Sequence, residues 1–443
     1  MSLLEIKHAY TELSDGVGVS HTGDTLFTPV TGATIAASQF TVGKKYLIVI
    51  DSDISFPAGG ASAVSKAGLR VLHGSTIFPG SQQDHMLLSS GREGFDYRFF
   101  IVWVAIATEN INVEFRTNDA ALTVTVNHLT MFALELTGRL KENKDWFFAE
   151  DASSIAITGF FQTGVSITFT PEENSDWLIF VLWREIGVSR PGFFNFPLRQ
   201  EWQITSIGDF NVIRPIAERW AQDSPAGTDG QYVFHLHRVY SLTKKANTFK
   251  IEFTGTGTFT EYTSIFAINL SKFSAHAFNR SETEFQLATP LTTYASLENS
   301  LKITPLGVKK DIWFGANAIT NHRFLGGPAD HRTRLNNIDE PPGQSITNFE
   351  HHTGKNGFDI GGNHAKLGGF FGRMKVKGFD PQEVLYELEA SCSADPLTEH
   401  QESDLFAVQL TLGNPDPPIL GSSDNKNKPQ SIDTLHGVTN IGE

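Results

Sequence analysis

Apolar and polar residues alternate along much of this chain. In 113–117 (VEFRT), 123–128 (TVTVNH), 164–171 (GVSITFTP) and 250–255 (KIEFTG) every second side chain is apolar. A period of two places alternate side chains on one face of an extended backbone. The pattern therefore predicts strands with one face buried. Helical periodicity is scarce, and only 3–13, 217–222 (after Pro215) and 381–385 read as short helices.

One strand-like string occurs three times. MFALEL, IFAINL and LFAVQL begin at residues 131, 265 and 405, a spacing of roughly 135. In the first, Phe132, Leu134 and Leu136 share one face, with Ala133 on the other. The second repeats this with Phe266, Ile268 and Leu270 against Ala267, and the third with Phe406, Val408 and Leu410 against Ala407. Upstream of each string an apolar run follows a charged turn: Lys44 and Lys45 before YLIVI, Asp176 before WLIFV, and Lys309, Lys310 and Asp311 before IWF. QFTV, ITFT and KITP come before those runs. In mid-unit Gly94, Gly230 and Gly372 each precede a strand-like run. A further run carries Val113-Glu114-Phe115, Ile251-Glu252-Phe253 and Tyr386-Glu387-Leu388 in register. Landmarks in constant order at near-constant offsets mark an internal triplication.

Each unit holds enough alternating segments for seven to nine strands, separated by Gly, Pro, Asn and Asp clusters. The expectation is an all-β chain of three tandem antiparallel β-sandwiches, jelly-roll or immunoglobulin-like, each with its own core. The units run 1–137 (with an N-terminal arm over about 1–20), 146–270 and 285–410. Residues 137–145 and 271–284 read as polar linkers. The 35 phenylalanines suit large sandwich interiors. After Leu410 the composition changes, and 411–443 is an extended polar tail that cannot fold alone. Such a tail orders when another surface holds it down.

Charge and cysteine usage narrow the function. The formal net charge is −14, from 35 basic and 49 acidic residues, without a basic run interleaved with aromatics. That argues against nucleic acid as a partner. The longest apolar run, 99–107, is too short to cross a bilayer, and no signal peptide is expected from MSLLEIKHAYTELSDG. Cys392 is the only cysteine, so stability rests on packing, and synthesis in a reducing cytoplasm is expected.

Candidate chemistry is thin. His235 and His237 lie two apart on a predicted strand, a spacing that can hold a metal, yet a third ligand is not evident. A polar strand face bonded to its neighbours accounts for them as well. His322, His331, His351, His352 and His364 crowd with Asp330 and Asp359 into the irregular stretch 321–372, read as a surface loop that could bind a metal or a partner. Residues 359–369 (DIGGNHAKLGG) lack the GK[ST] ending of a phosphate loop. Asp51 and Asp53 lack the glycine and glutamate of an EF-hand. Trp146, Trp177, Trp183, Trp202 and Trp220 read as core rather than sugar platforms. No nucleophile elbow or zinc-protease motif occurs, and neither an enzyme nor a cofactor is expected. What differs most between units is the mid-unit segment, 55–93, 185–229 and 321–371, where binding specificity would reside.

Acidic, cysteine-poor and built of repeated β units with an extended arm, the chain resembles structural proteins of tailed-bacteriophage virions. That resemblance implies a non-enzymatic capsid decoration or cement protein, made in the bacterial host cytoplasm and located in the virion. Its partners would be the major capsid protein or other virion proteins, or a further copy of the chain in a homo-oligomer. A host-recognition tail fibre, spike or baseplate protein binding surface glycan is the alternative. A carbohydrate-active enzyme with sandwich modules is a third reading.

Overall fold

The computed structural model describes residues 4–13, 18–23, 25–55, 66–86, 94–117, 119–153, 155–156, 162–187, 198–209, 212–221, 230–255, 258–281, 285–286, 291–307, 311–323, 331–337, 351–353, 363–375, 384–392 and 398–413. Among these the chain is all-β and antiparallel. Two single 3-10 turns, Ala37–Gln39 and Leu270–Lys272, are its only helical elements.

The strands form three pairs of sheets, each pair from one third of the chain. We call each pair a unit. In the second unit, one sheet orders Trp146–Asp151, Thr258–Asn269, Ser175–Gly187 and Gly230–Leu242. Its other sheet orders Gln162–Phe169, Asn247–Gly255, Leu198–Ile207 and Val212–Ala221. In unit order the first strand pairs with the eighth, the second with the seventh, the third with the sixth and the fourth with the fifth. That is a jelly roll.

The first and third units keep the same order. The first unit sets His8–Leu13, Thr123–Glu135, Lys45–Ser55 and Gly94–Val104 in one sheet. The third sets His276–Ser281, Thr398–Gln409, Ile312–Arg323 and Asn363–Lys375 in the matching one. We call these the inner sheets. The topology left open by the alternation of side chains is thereby jelly-roll and not immunoglobulin-like.

Several local expectations are corrected. Residues 4–5 and 8–13 are strand, 217–221 lies in the strand Val212–Ala221, and 384–385 opens the strand Val384–Cys392. Short apolar-polar runs are ambiguous in period, and cross-strand pairing decides them. The expected linker 271–284 supplies the first strand of the third unit, His276–Ser281, because Phe278 pairs with Phe406. The variable mid-unit segments are not plain loops. They contain Lys66–His73, Leu198–Ile207 and His331–Asn337, which carry the outer sheets. The stretch 321–372 likewise includes the end of Ile312–Arg323, His331–Asn337, His351–Thr353 and most of Asn363–Lys375. Gly94 and Gly230 open their strands, whereas Gly372 lies inside one.

Candidate functional site

The three signature strands hold equivalent register positions, each between the first and third strands of its unit. Phe132 pairs with Tyr10 and Val49, Phe266 with Phe148 and Phe180, and Phe406 with Phe278 and Gly315. Both faces of each strand are buried. In the second unit Ile265 and Ala267 join the unit's own core with Trp177, Ile179, Phe249 and Phe253. Phe266, Ile268 and Leu270 face the other way, into a core shared with the other units. Phe132, Phe266 and Phe406 therefore belong to one cluster drawn from all three units, distinct from the core of the second unit. Their face looks toward sister units.

Aromatic rings bind all three unit pairs. Phe100 lies 5.7 Å from Phe180, Phe180 5.5 Å from Trp313 in a stacked pair, and Phe132 5.0 Å from Trp313. Phe406 packs edge-on against Trp313 at 5.2 Å. The packing is complementary rather than symmetric: a Cβ on Gly315 would sit 2.1 Å from the Phe406 ring. Neither Phe180 nor Trp313 was marked as special by the sequence pattern, because each reads as one more core aromatic.

Beyond this apolar layer lies a buried polar one. Asp51 accepts from Arg98 Nε at 3.2 Å within the first unit. Arg238 of the second unit grips Asp404 of the third through Nε at 3.1 Å and Nη2 at 2.8 Å. Both pairs are almost wholly excluded from solvent. His237 sits between, 4.9 Å from the Phe406 ring. Burial, reinforced by the charges of Arg98 and Arg238, holds its pKa well below the ordinary histidine range. His237 is therefore held in its neutral form. His235 pairs with Leu182 in the backbone register, but its side chain lies outside the description.

The remaining candidates resolve similarly. Asp51 is buried and accepts from Arg98. Trp146, Trp177 and Trp183 are buried, so they are not sugar platforms, while the side chains of Trp202 and Trp220 lie outside the description. His322 pairs with His364, His331 with Thr353, Arg332 with His352 and Thr333 with His351, in strands rather than one irregular loop. Asp330 and Asp359 lie outside the described residues. Among the described residues no group of three metal-ligating side chains comes together. No helix there is long and apolar enough to cross a membrane.

The most distinctive surface follows from orientation. Lys45, Asp176 and Asp311 stand at the same register position at the start of each third strand, and all three meet the neighbouring unit there. Lys45 Nζ donates to Glu142 at 2.6 Å and lies 5.6 Å above the Trp146 ring. Asp176 meets His276 at 2.9 Å, and Asp311 meets His8 at 2.5 Å. The three units therefore point the same way. Antiparallel pairing sends one set of connections, including 119–122, to one end, the tip. The other set, including 36–44, 105–110 and 136–145, lies at the opposite end, the base. Among the described residues, the exposed large apolar side chains at the base are Leu4, Val42, Ile77, Val104, Ile106, Ile207 and Leu306, and at the tip Leu26.

Comparisons with known proteins are sparse. No family model matches the chain, and no curated protein matches it. Among solved structures, infectious bursal virus-derived T=1 particles align at 11% identity over 87% of this chain and 72% of that one, with a TM-score of 0.21. The VP2 subviral particle of infectious bursal disease virus aligns at 12% over 88% and 76%, with a TM-score of 0.22. The T13 particle of that virus gives 9% over 94% and 83%, with a TM-score of 0.20. These likenesses are too distant to bear on fold or role.

Proposed function

We propose that this chain is a non-enzymatic structural protein of a virion, of the phage capsid decoration or cement type, attached through its base. The observation that carries this reading is the common orientation of three jelly rolls. It gathers exposed apolar side chains at one end, the base. Jelly rolls serve in viral capsid and lectin domains, and exposed apolar clusters mark interaction sites. A rigid ring offers three contacts at once, so weak individual contacts sum to avidity about 10²–10⁴-fold above one alone. The chain leaves the ring at the base, where the Gly413 amide donates to the Lys272 carbonyl at 3.1 Å. Residues 414–443, which lie outside the described residues, continue from there as an anchoring arm in this proposal.

The test is co-sedimentation of the full chain with virus heads. Near-capsomer stoichiometry is expected. Val42→Asp with Leu306→Asp should cut occupancy at least tenfold, while Leu26→Asp should leave it unchanged. Equal loss from the tip variant would overturn base attachment. A second reading, host recognition through glycan, is favoured by the sequence differences among 55–93, 185–229 and 321–371. It expects few copies per particle and binding of the full chain to host polysaccharide.

A further inference from the structure

The chain joins the first unit to the second through 137–145 and the second to the third through 270–275, but no linker joins the third to the first. That last seam is nevertheless built like the others. At each, the start of a third strand meets the start of the next unit's first strand: Lys45 with Trp146, Asp176 with His276, Asp311 with His8. At each, a fifth strand lies beside the next unit's sixth. Gln83–Met86 runs by Gly230–Leu242, Val212–Ala221 by Asn363–Lys375, and His351–Thr353 by Gly94–Val104. Within each unit the amide of Glu135, Asn269 or Gln409 donates to Lys7, Asp145 or Ala275, each at 2.9 Å. The unlinked seam adds one more ladder, in which Leu4–Glu5 pairs with Thr411–Leu412.

A contact repeated where no peptide bond enforces it is held by its own side chains. We propose that each unit is a trimerising module whose partner is another copy of the same unit. The chain is then a covalently fused trimer, with every copy of that interface satisfied internally. Closure leaves no free inner face to recruit a second chain, so the intact protein is a monomer. The linkers fix which copies meet, and they are not what holds the ring together.

The test uses the full chain with a protease recognition sequence inserted between Gly138 and Arg139, both exposed. After native cleavage, both fragments should co-elute at the mass of the uncut chain, 48.8 kDa. The urea midpoint of the nicked protein should rise with protein concentration, as for any association, while that of the uncut protein should not. Separate elution of the first fragment in native buffer would overturn the proposal. Should the insertion prevent folding, light scattering on the unaltered chain decides. A single species of 48.8 kDa is expected, and a threefold heavier one would mean that the inner faces pair between chains. Neither measurement uses a particle, so the result is independent of the attachment reading.

Discussion

The two faces of a signature strand are equally buried, yet they do different work. Ile265 and Ala267 close the second jelly roll upon itself. One residue over, Phe266 and Ile268 close the ring. The first face would survive in a solitary sandwich, and the second has meaning only when sister units are present. Burial alone therefore does not separate stability of a unit from stability of the assembly. Which neighbours a side chain touches does.

Substitution on each face should break the comparison open. Phe132→Ala, which removes the ring packed on Trp313 of the third unit, should cost about 3–5 kcal/mol. In a chain cut at the first linker, that loss should appear as easier release of the first fragment. Ile265→Ala, costing about 2–5 kcal/mol, should instead lower the melting of the second unit without favouring release. Equal release from both would erase the distinction. Asp404→Ala strands the buried Arg238 guanidinium and should cost about 3–5 kcal/mol, whereas replacing both partners by apolar residues should restore most of it. Urea melts of the single and paired variants check this.

Gly315→Ala drives a methyl into the Phe406 ring, and overpacking of this kind costs about 1–3 kcal/mol. The same change at Val49 or Phe180, which hold the equivalent register, is a truncation rather than an intrusion. Thermal melts of Gly315→Ala and Val49→Ala sharpen how far the three inner faces differ.

The smallest effects concern pH at two seams. Burial works against a charged His8, but the hydrogen bond and charge of Asp311 with the Ile6 carbonyl outweigh it, raising the pKa above 6.5. His8 thus adds stability that is full below about pH 6.5 and lost as pH rises through its folded value. Burial likewise opposes a charged Asp176, and hydrogen bonds from His276 and Ser241 outweigh it, lowering the pKa below 3.8. Its contribution is present above that value and lost as pH falls through the folded one. His8→Ala should flatten the alkaline limb of the stability profile and Asp176→Asn the acid limb. Midpoints measured from about pH 3 to 9 would expose either failure.

Alternation in runs such as 113–117 was enough to establish strands with a buried face, because period two belongs to the backbone and not to its neighbours. The spacing of MFALEL, IFAINL and LFAVQL likewise made a recurring strand legible, and these strings occupy one register in all three units. Alternation does not say which partner covers the second face. Phe266 and Ile265 look alike in one dimension, as do Asp51, read as a possible calcium ligand, and an ordinary surface carboxylate. Only the folded ring brought Phe180 against Trp313, Arg238 against Asp404 and His8 against Asp311. Those pairs are more than 90 residues apart and depend on how whole sheets dock. Docking is a sum of many weak contacts between surfaces, which no short stretch of chain encodes.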